Sequence, residues 1–180
     1  MPISASDIKI KLSIKTGSAG NAAAQSDTDE SLGKYISTTE IIDATVHNIF
    51  DQISGDENAA STVEYRCFFV HNAHATLTLQ GAIAWISAEV AGGATAAFGV
   101  DTTAASAVGS APAQALEVVN ETTAPAGVSF STATTKGTGI TIGNITAGQC
   151  RAIWLRRTAA NSAAANNDGV TISVEGDTGA

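Results

Sequence analysis

The sequence predicts an all-β protein, a single-domain β-sandwich of jelly-roll or immunoglobulin-like type over residues 1–180, and three observations carry that expectation. Residues 7–15 alternate with period two, Ile8, Ile10, Leu12 and Ile14 against Lys9, Lys11, Ser13 and Lys15, which is the pattern of a half-buried strand. The runs VEYRCFFVHN (63–72) and CRAIWLRRT (150–158) are apolar and rich in aromatic and β-branched residues, as core strands are. Further short apolar runs recur between turn residues, giving roughly eight to ten strands.

Taken in order, the first strand turns its lysines outward, which would suit a sheet edge, where charge discourages unwanted pairing. Residues 16–31 are small, polar and acidic without periodicity, and read as a long flexible arm or loop that could lie along a neighbouring subunit. Residues 32–53 fit either a short helix capped by Thr39 or short extended pieces; the β-branched Ile41, Ile42 and Val46 favour the extended pieces. Residues 51–61 form a turn-rich connection. After the strand at 63–72 comes a tight turn at Asn72-Ala73-His74 and a strand over 76–86, with Gly81 marking a bulge or bend. Short strands follow at 94–100, 116–119, 128–131 and 140–142, with a low-complexity loop over 102–113 and a turn at Pro125. The strand at 150–158 leads through a small-residue turn to a last alternating strand at 169–175. The segments YRCFFVHN and CRAIWLRR echo each other, each placing an arginine before an apolar strand, which suggests similar places in the sandwich.

Composition narrows the function. Hydrophobic residues make up 44% of the chain but aromatics only 5%, so large side chains are concentrated in a few strands and part of the stability would come from partners. A net charge of −8 repels phosphate backbones and argues against nucleic acid as a ligand. No apolar run reaches membrane-spanning length, so no membrane is expected as a partner. The N-terminus lacks a secretory pattern, so synthesis is expected in the cytoplasm and the sequons at Asn120 and Asn144 carry no weight. Cys67 and Cys150, with no CxxC spacing, read as two buried free thiols rather than a disulfide or a metal site.

The common catalytic motifs are missing, so no enzyme, cofactor or metal is expected. His71 and His74 read as part of a polar turn, and His47, beside Asp43 and Asp51, as a surface residue. The acidic run Asp27, Asp29, Glu30 lacks the glycine and distal glutamate of a calcium loop and reads as solvated. Trp85 and Trp154 could stack on sugars, but their apolar neighbours favour core packing. Arg156 and Arg157 are adjacent on a strand and point to opposite faces, one suited to a buried or intersubunit ion pair and the other to solvent. The candidate partner-binding residues are therefore Lys9, Lys11, Lys15, Asp27, Asp29, Glu30, Arg156 and Arg157.

The segments SDIKIKLSIK, SLGKYIST, VEYRCFFVHN, AGQCRAIWLRRT and NNDGVTISVEGDT, spread from the start to the end of the chain, resemble those of bacteriophage virion structural proteins, with capsid cement or decoration proteins the best match. The resemblance implies a location on the outer surface of the head, the major capsid protein as partner, self-association as a homotrimer, and no catalytic residues. Two rival readings remain: a neck, tail or baseplate component, and a carbohydrate-binding adhesion module on the virion.

Overall fold

The computed structural model describes residues 2–109, 113–165 and 167–178. Nine strands form two antiparallel sheets in a sandwich-like β domain, the larger sheet curled into a half-barrel. Strand β1 (Ile8–Ile14) lies between β2 (Tyr35–Glu40) and β3 (Val63–Asn72); β3 pairs with β8 (Gln149–Thr158), and β8 in turn carries β5 (Thr95–Val100) and the two-residue β6 (Ser106–Ala107). The smaller sheet runs β7 (Ile140–Ile145), β4 (Leu79–Glu89), β9 (Val170–Thr178). One short helix, α1 (Gly55–Ala60), joins β2 to β3, started by a reciprocal capping box between Ser54 and Glu57.

Alternation along β3 and β8 builds two cores on the two faces of one sheet. On the inner face Phe68, Val70, Ile153 and Leu155 join Phe98 of β5 and pack on Leu79, Ala82, Ala84 and Ile86 of β4 and on Ile142 and Ile145 of β7. On the outer face Cys67, Phe69, Cys150, Ala152 and Trp154 pack under loop residues Leu32, Ala115 and Val118. Gly33 permits that loop layer to close: with φ at +91°, a side chain there would bring its Cβ to 1.9 Å from the Leu116 carbonyl oxygen.

Several expectations hold and several are corrected. The strands expected at 63–72, 94–100, 150–158 and 169–175 are present within a few residues, and Gly81, at φ +55°, sits in a register shift of β4. No helix forms over 32–53, as the β-branched residues suggest; the helix forms instead in the connection 51–61, because Ser54 and Glu57 cap it. Residues 116–119 and 128–131 are not strands: each contributes one isolated bridge, Glu117 to Gly33 and Ser131 to Phe98. The expected loop over 102–113 includes β6, and its residues 110–112 lie outside the described residues.

Two corrections bear on function. β1 is an interior strand rather than an edge, so Lys9, Lys11 and Lys15 do not guard an open edge, and Lys11 is largely covered. Residues 16–31 do not extend as a free arm. Gln25 is buried, its side-chain amide donating to the Ser13 and Glu30 carbonyls, and Gln25 and Thr39 exchange two hydrogen bonds of 2.9 Å. The Thr38 amide donates to the Ala23 carbonyl, so the segment covers the outer edge of β2. A few small residues and one glutamine achieve this without any hydrophobic period.

Candidate functional site

At one end of the inner face, aliphatic packing gives way to charge. Glu64 and Arg66 continue the inward row of β3, and Arg157 continues that of β8; Glu64 and Arg157 are direct cross-strand partners. Arg66 is fully buried and donates to Asp29 at 2.8 Å and Glu121 at 2.6 Å. Arg157 donates to Glu64 through Nε at 2.8 Å and to Asp51 through Nη2 at 2.9 Å. Both guanidiniums lie over the Phe50 ring, that of Arg66 at 5.3 Å and that of Arg157 at 4.6 Å from its centroid.

Electrostatics follow from burial. Burial opposes the charge of Arg66, and the hydrogen bonds to Asp29 and Glu121 outweigh it, so its pKa lies above the ordinary arginine value. Burial pushes the Glu64 carboxyl above the ordinary glutamate value, further than its bond from Arg157 pulls it down. Glu57 is lowered, by hydrogen bonds from the Ser54 backbone and side chain. Carboxylates of Glu57, Glu64 and Glu121 approach within 4.8 Å of one another, and the two guanidiniums supply the positive charge they need. The cluster holds no nucleophile paired with a base. It acts as a brace joining β3, β8, the turn at 27–30, the loop 49–57 and the loop around Glu121.

The sequence-derived candidates are dispersed among such contacts. Lys9 pairs with Glu40 at 3.5 Å and Lys15 with Glu30 at 3.4 Å. Asp27 caps the turn at 28–30 by accepting from the Asp29 amide. Arg157 forms a buried ion pair within the chain, and the Arg156 guanidinium lies 5.3 Å from the Phe130 ring. Lys11 has no carboxylate partner among the described residues.

No family model, curated protein or solved structure matches the chain.

The other polar candidates are engaged locally. His74 Nδ1 accepts from the Thr76 and Leu77 amides, which makes it a turn element. Trp154 is buried and its indole N–H donates to Asp101 at 2.6 Å, so it offers no sugar platform; Trp85 is half-buried on the outer face of the smaller sheet. Cys67 and Cys150 are free and buried; burial raises both thiols, that of Cys150 to about 12, which leaves them unreactive.

What the chain does expose is apolar side chains in a few places. Ile42 and Val46 are 70% and 67% exposed, and Val119 is 83% exposed. The loop bearing Ile42 and Val46 is anchored on both sides by Ile41, Ile49 and Phe50, which pack on the inner core, and Asn48 donates to the Ile42 carbonyl at 3.0 Å. Val119 borders a shallow, open depression with Lys15, Glu117 and Val118. The sequence places Ile42 and Val46 in short extended pieces, whereas the chain turns through them after β2 ends at Glu40. The two left-handed residues Ala44 and His47, which turn them outward, leave no mark in composition.

Proposed function

We propose that this protein is a non-enzymatic structural component of a bacteriophage particle: a cement or decoration protein on the outer head surface that clamps neighbouring major capsid subunits and is itself a homotrimer. The single observation that carries the reading is the anchored loop holding Ile42 and Val46 in solvent. Two β-branched side chains held outward by a fixed loop gain nothing in an isolated domain and gain apolar burial against a partner. The charged brace supports the reading by fixing the adjoining residues 49–57, so that attachment would order little and lose little entropy. Many copies on a shell would multiply modest contacts into firm attachment. The choice of partner comes from the resemblance of segments such as VEYRCFFVHN and AGQCRAIWLRRT to virion structural proteins.

The test is copy number and position in purified particles, by quantitative gel and electron cryo-microscopy, together with attachment of an Ile42→Ser/Val46→Ser variant. Hundreds of copies over the shell, with attachment lost in a variant that melts within a few degrees of the parent, are expected. About a dozen copies at one vertex would replace the reading with a neck, tail or baseplate role. Undiminished attachment of the variant would remove the loop from it.

A further inference from the structure

The edge of a β-sheet is a row of unpaired amides and carbonyls, open to any strand that reaches it. The outer edge of β2 is covered by residues 23–25, through the Thr38 amide and the bonds between Gln25 and Thr39. β5 exchanges bonds in both directions with Ser131 through Phe98. β7 carries a bulge, with Ala82 and Ile83 of β4 facing Gly143 and Thr141, and Gly143 sits at φ +91°. β9 is different. It ends its sheet, pairs with β4, and receives no backbone bond from any other segment among the described residues. Both register shifts of that pairing fall on β4, which uses an extra residue at each, so β9 runs its nine residues without a bulge.

The direction of its free groups follows from the bonds it does make. Gly169 and Thr171 turn their carbonyls towards β4 and its end, accepting from the Val90 amide and the Ser87 hydroxyl. By alternation, the backbone groups of Val170, Ile172 and Val174 point to the open side. The side chains of the same three residues pack against the inter-sheet core but stay half-exposed, whereas Ala84 and Ile86 on the neighbouring β4 are buried. The edge thus presents an uncharged run, VTISV, with free backbone groups and an apolar rim. Glu175 and Asp177 lie beyond the run, at one end.

We propose that β9 pairs antiparallel with β9 of a second copy about a two-fold axis at Ile172, joining the two smaller sheets into one of six strands. Centring on Ile172 sets Val170 opposite Val174 of the second copy, so the outward residues of each strand bond to one another. It also closes the two half-exposed apolar rims on each other. Charge sets the direction. A parallel pairing puts Glu175 and Asp177 beside their own copies, whereas the antiparallel one keeps the acidic ends apart and sets Glu175 opposite Gly169. The carboxylate of the preceding Asp168 is held by the Ala94 amide. A two-fold contact does not rest on the proposed trimer: it joins free copies or whole trimers alike.

The experiment is sedimentation of the whole chain over about 1 µM to 1 mM, with amide hydrogen exchange followed across the same series. Dimers are expected, with exchange at Val170, Ile172 and Val174 slowing as concentration rises and exchange at Thr171 and Ser173, which face β4, changing little. Thr171 meets Ser173 of the second copy at two symmetric places on the solvent face. Thr171→Lys/Ser173→Lys sets like charges there, and dimerisation should need about tenfold more protein. Thr171→Glu/Ser173→Lys sets opposite charges at the same places and should dimerise at least as well as the parent. A monomer at every concentration overturns the proposal, as does association that leaves exchange at Val170, Ile172 and Val174 unaltered. So does a first variant that associates like the parent, or a second that fails to restore pairing. Should the first variant not fold, the exchange pattern of the parent decides the question by itself.

Discussion

The two faces of the larger sheet are covered in different ways. The inner face meets a second sheet, and apolar side chains interdigitate between the charged end and the buried Asn72, whose amide donates to the Leu77 and Ile145 carbonyls at the other end. The outer face meets loops, whose backbone groups have no ladder to join, and buried polar side chains take the place of a second sheet. The Asp101 carboxylate accepts from the Leu116 and Thr103 amides and the Trp154 indole, and Gln114 Oε1 accepts from the Ile36 amide. Ser13 Oγ accepts from the Gly33 amide. One core is held by area, the other by a small number of pins, and the second kind is the more vulnerable to a single change.

Breaking each core in turn should expose that difference. Phe98→Ala in the inter-sheet core should cost about 3–5 kcal/mol and lower the whole unfolding transition, seen as one cooperative shift in urea denaturation. Asp101→Ala leaves an indole and two amides without their acceptor and should cost about 3 kcal/mol. Its mark would be local: faster hydrogen exchange at Leu116 and Thr103 and altered Trp154 fluorescence, with the amides of β4 still protected. Equal loss of protection in both regions would show that the loop layer is not a separate unit. Gln25→Ala, which removes the side-chain bonds to the Ser13 and Glu30 carbonyls and leaves the backbone bonds to Thr38 and Thr39, should cost about 1 kcal/mol and sensitise residues 19–30 to protease. The smallest effect is expected from Glu64→Gln. The folded state holds the Glu64 proton more tightly than the unfolded chain does, so its stabilising contribution is complete below the unfolded pKa and lost as pH rises through the folded value. The parent should therefore lose ground to Glu64→Gln as pH is raised from acid towards neutral, measured by urea midpoints at several pH values; a gap independent of pH would refute it.

That same contrast explains what the sequence makes legible. The strands of the inter-sheet core are legible because area burial leaves a hydrophobic trace, alternation in β1 and β9 and apolar, aromatic-rich runs in β3 and β8, and all four lie close to where they are expected. The outer layer leaves no such trace. Asp101, Gln114 and Gln25 are single polar residues in small-residue stretches, indistinguishable by composition from solvated loop residues, so residues 16–31 read as free. The brace is half visible: adjacency on a strand sends Arg156 and Arg157 to opposite faces and suits one of them to an ion pair without saying which, while the partner Glu64 and the buried Arg66 look like ordinary surface alternation until β3 and β8 are placed side by side. The exposure of Ile42 and Val46 depends on backbone dihedrals at Ala44 and His47, to which hydrophobic patterning is blind.

The pairing of β3 with β8 has a consequence for the order of events during synthesis. The strand at the centre of the molecule finds its partner late: Glu64 and Arg157 are separated by 93 residues. At about 5–20 residues per second, a ribosome needs on the order of ten seconds to deliver β8 after β3. For that interval VEYRCFFVHN, whose run Cys67–Val70 is buried on both faces of the sheet in the folded protein, has one hydrogen-bonding edge unsatisfied. Nascent chains on adjacent ribosomes are thus open to pairing with each other, and slow loop closure of this kind also sets a slow refolding rate in vitro. Yield of folded protein should fall with expression rate, and fall less in a circular permutant that brings β8 next to β3 in the chain.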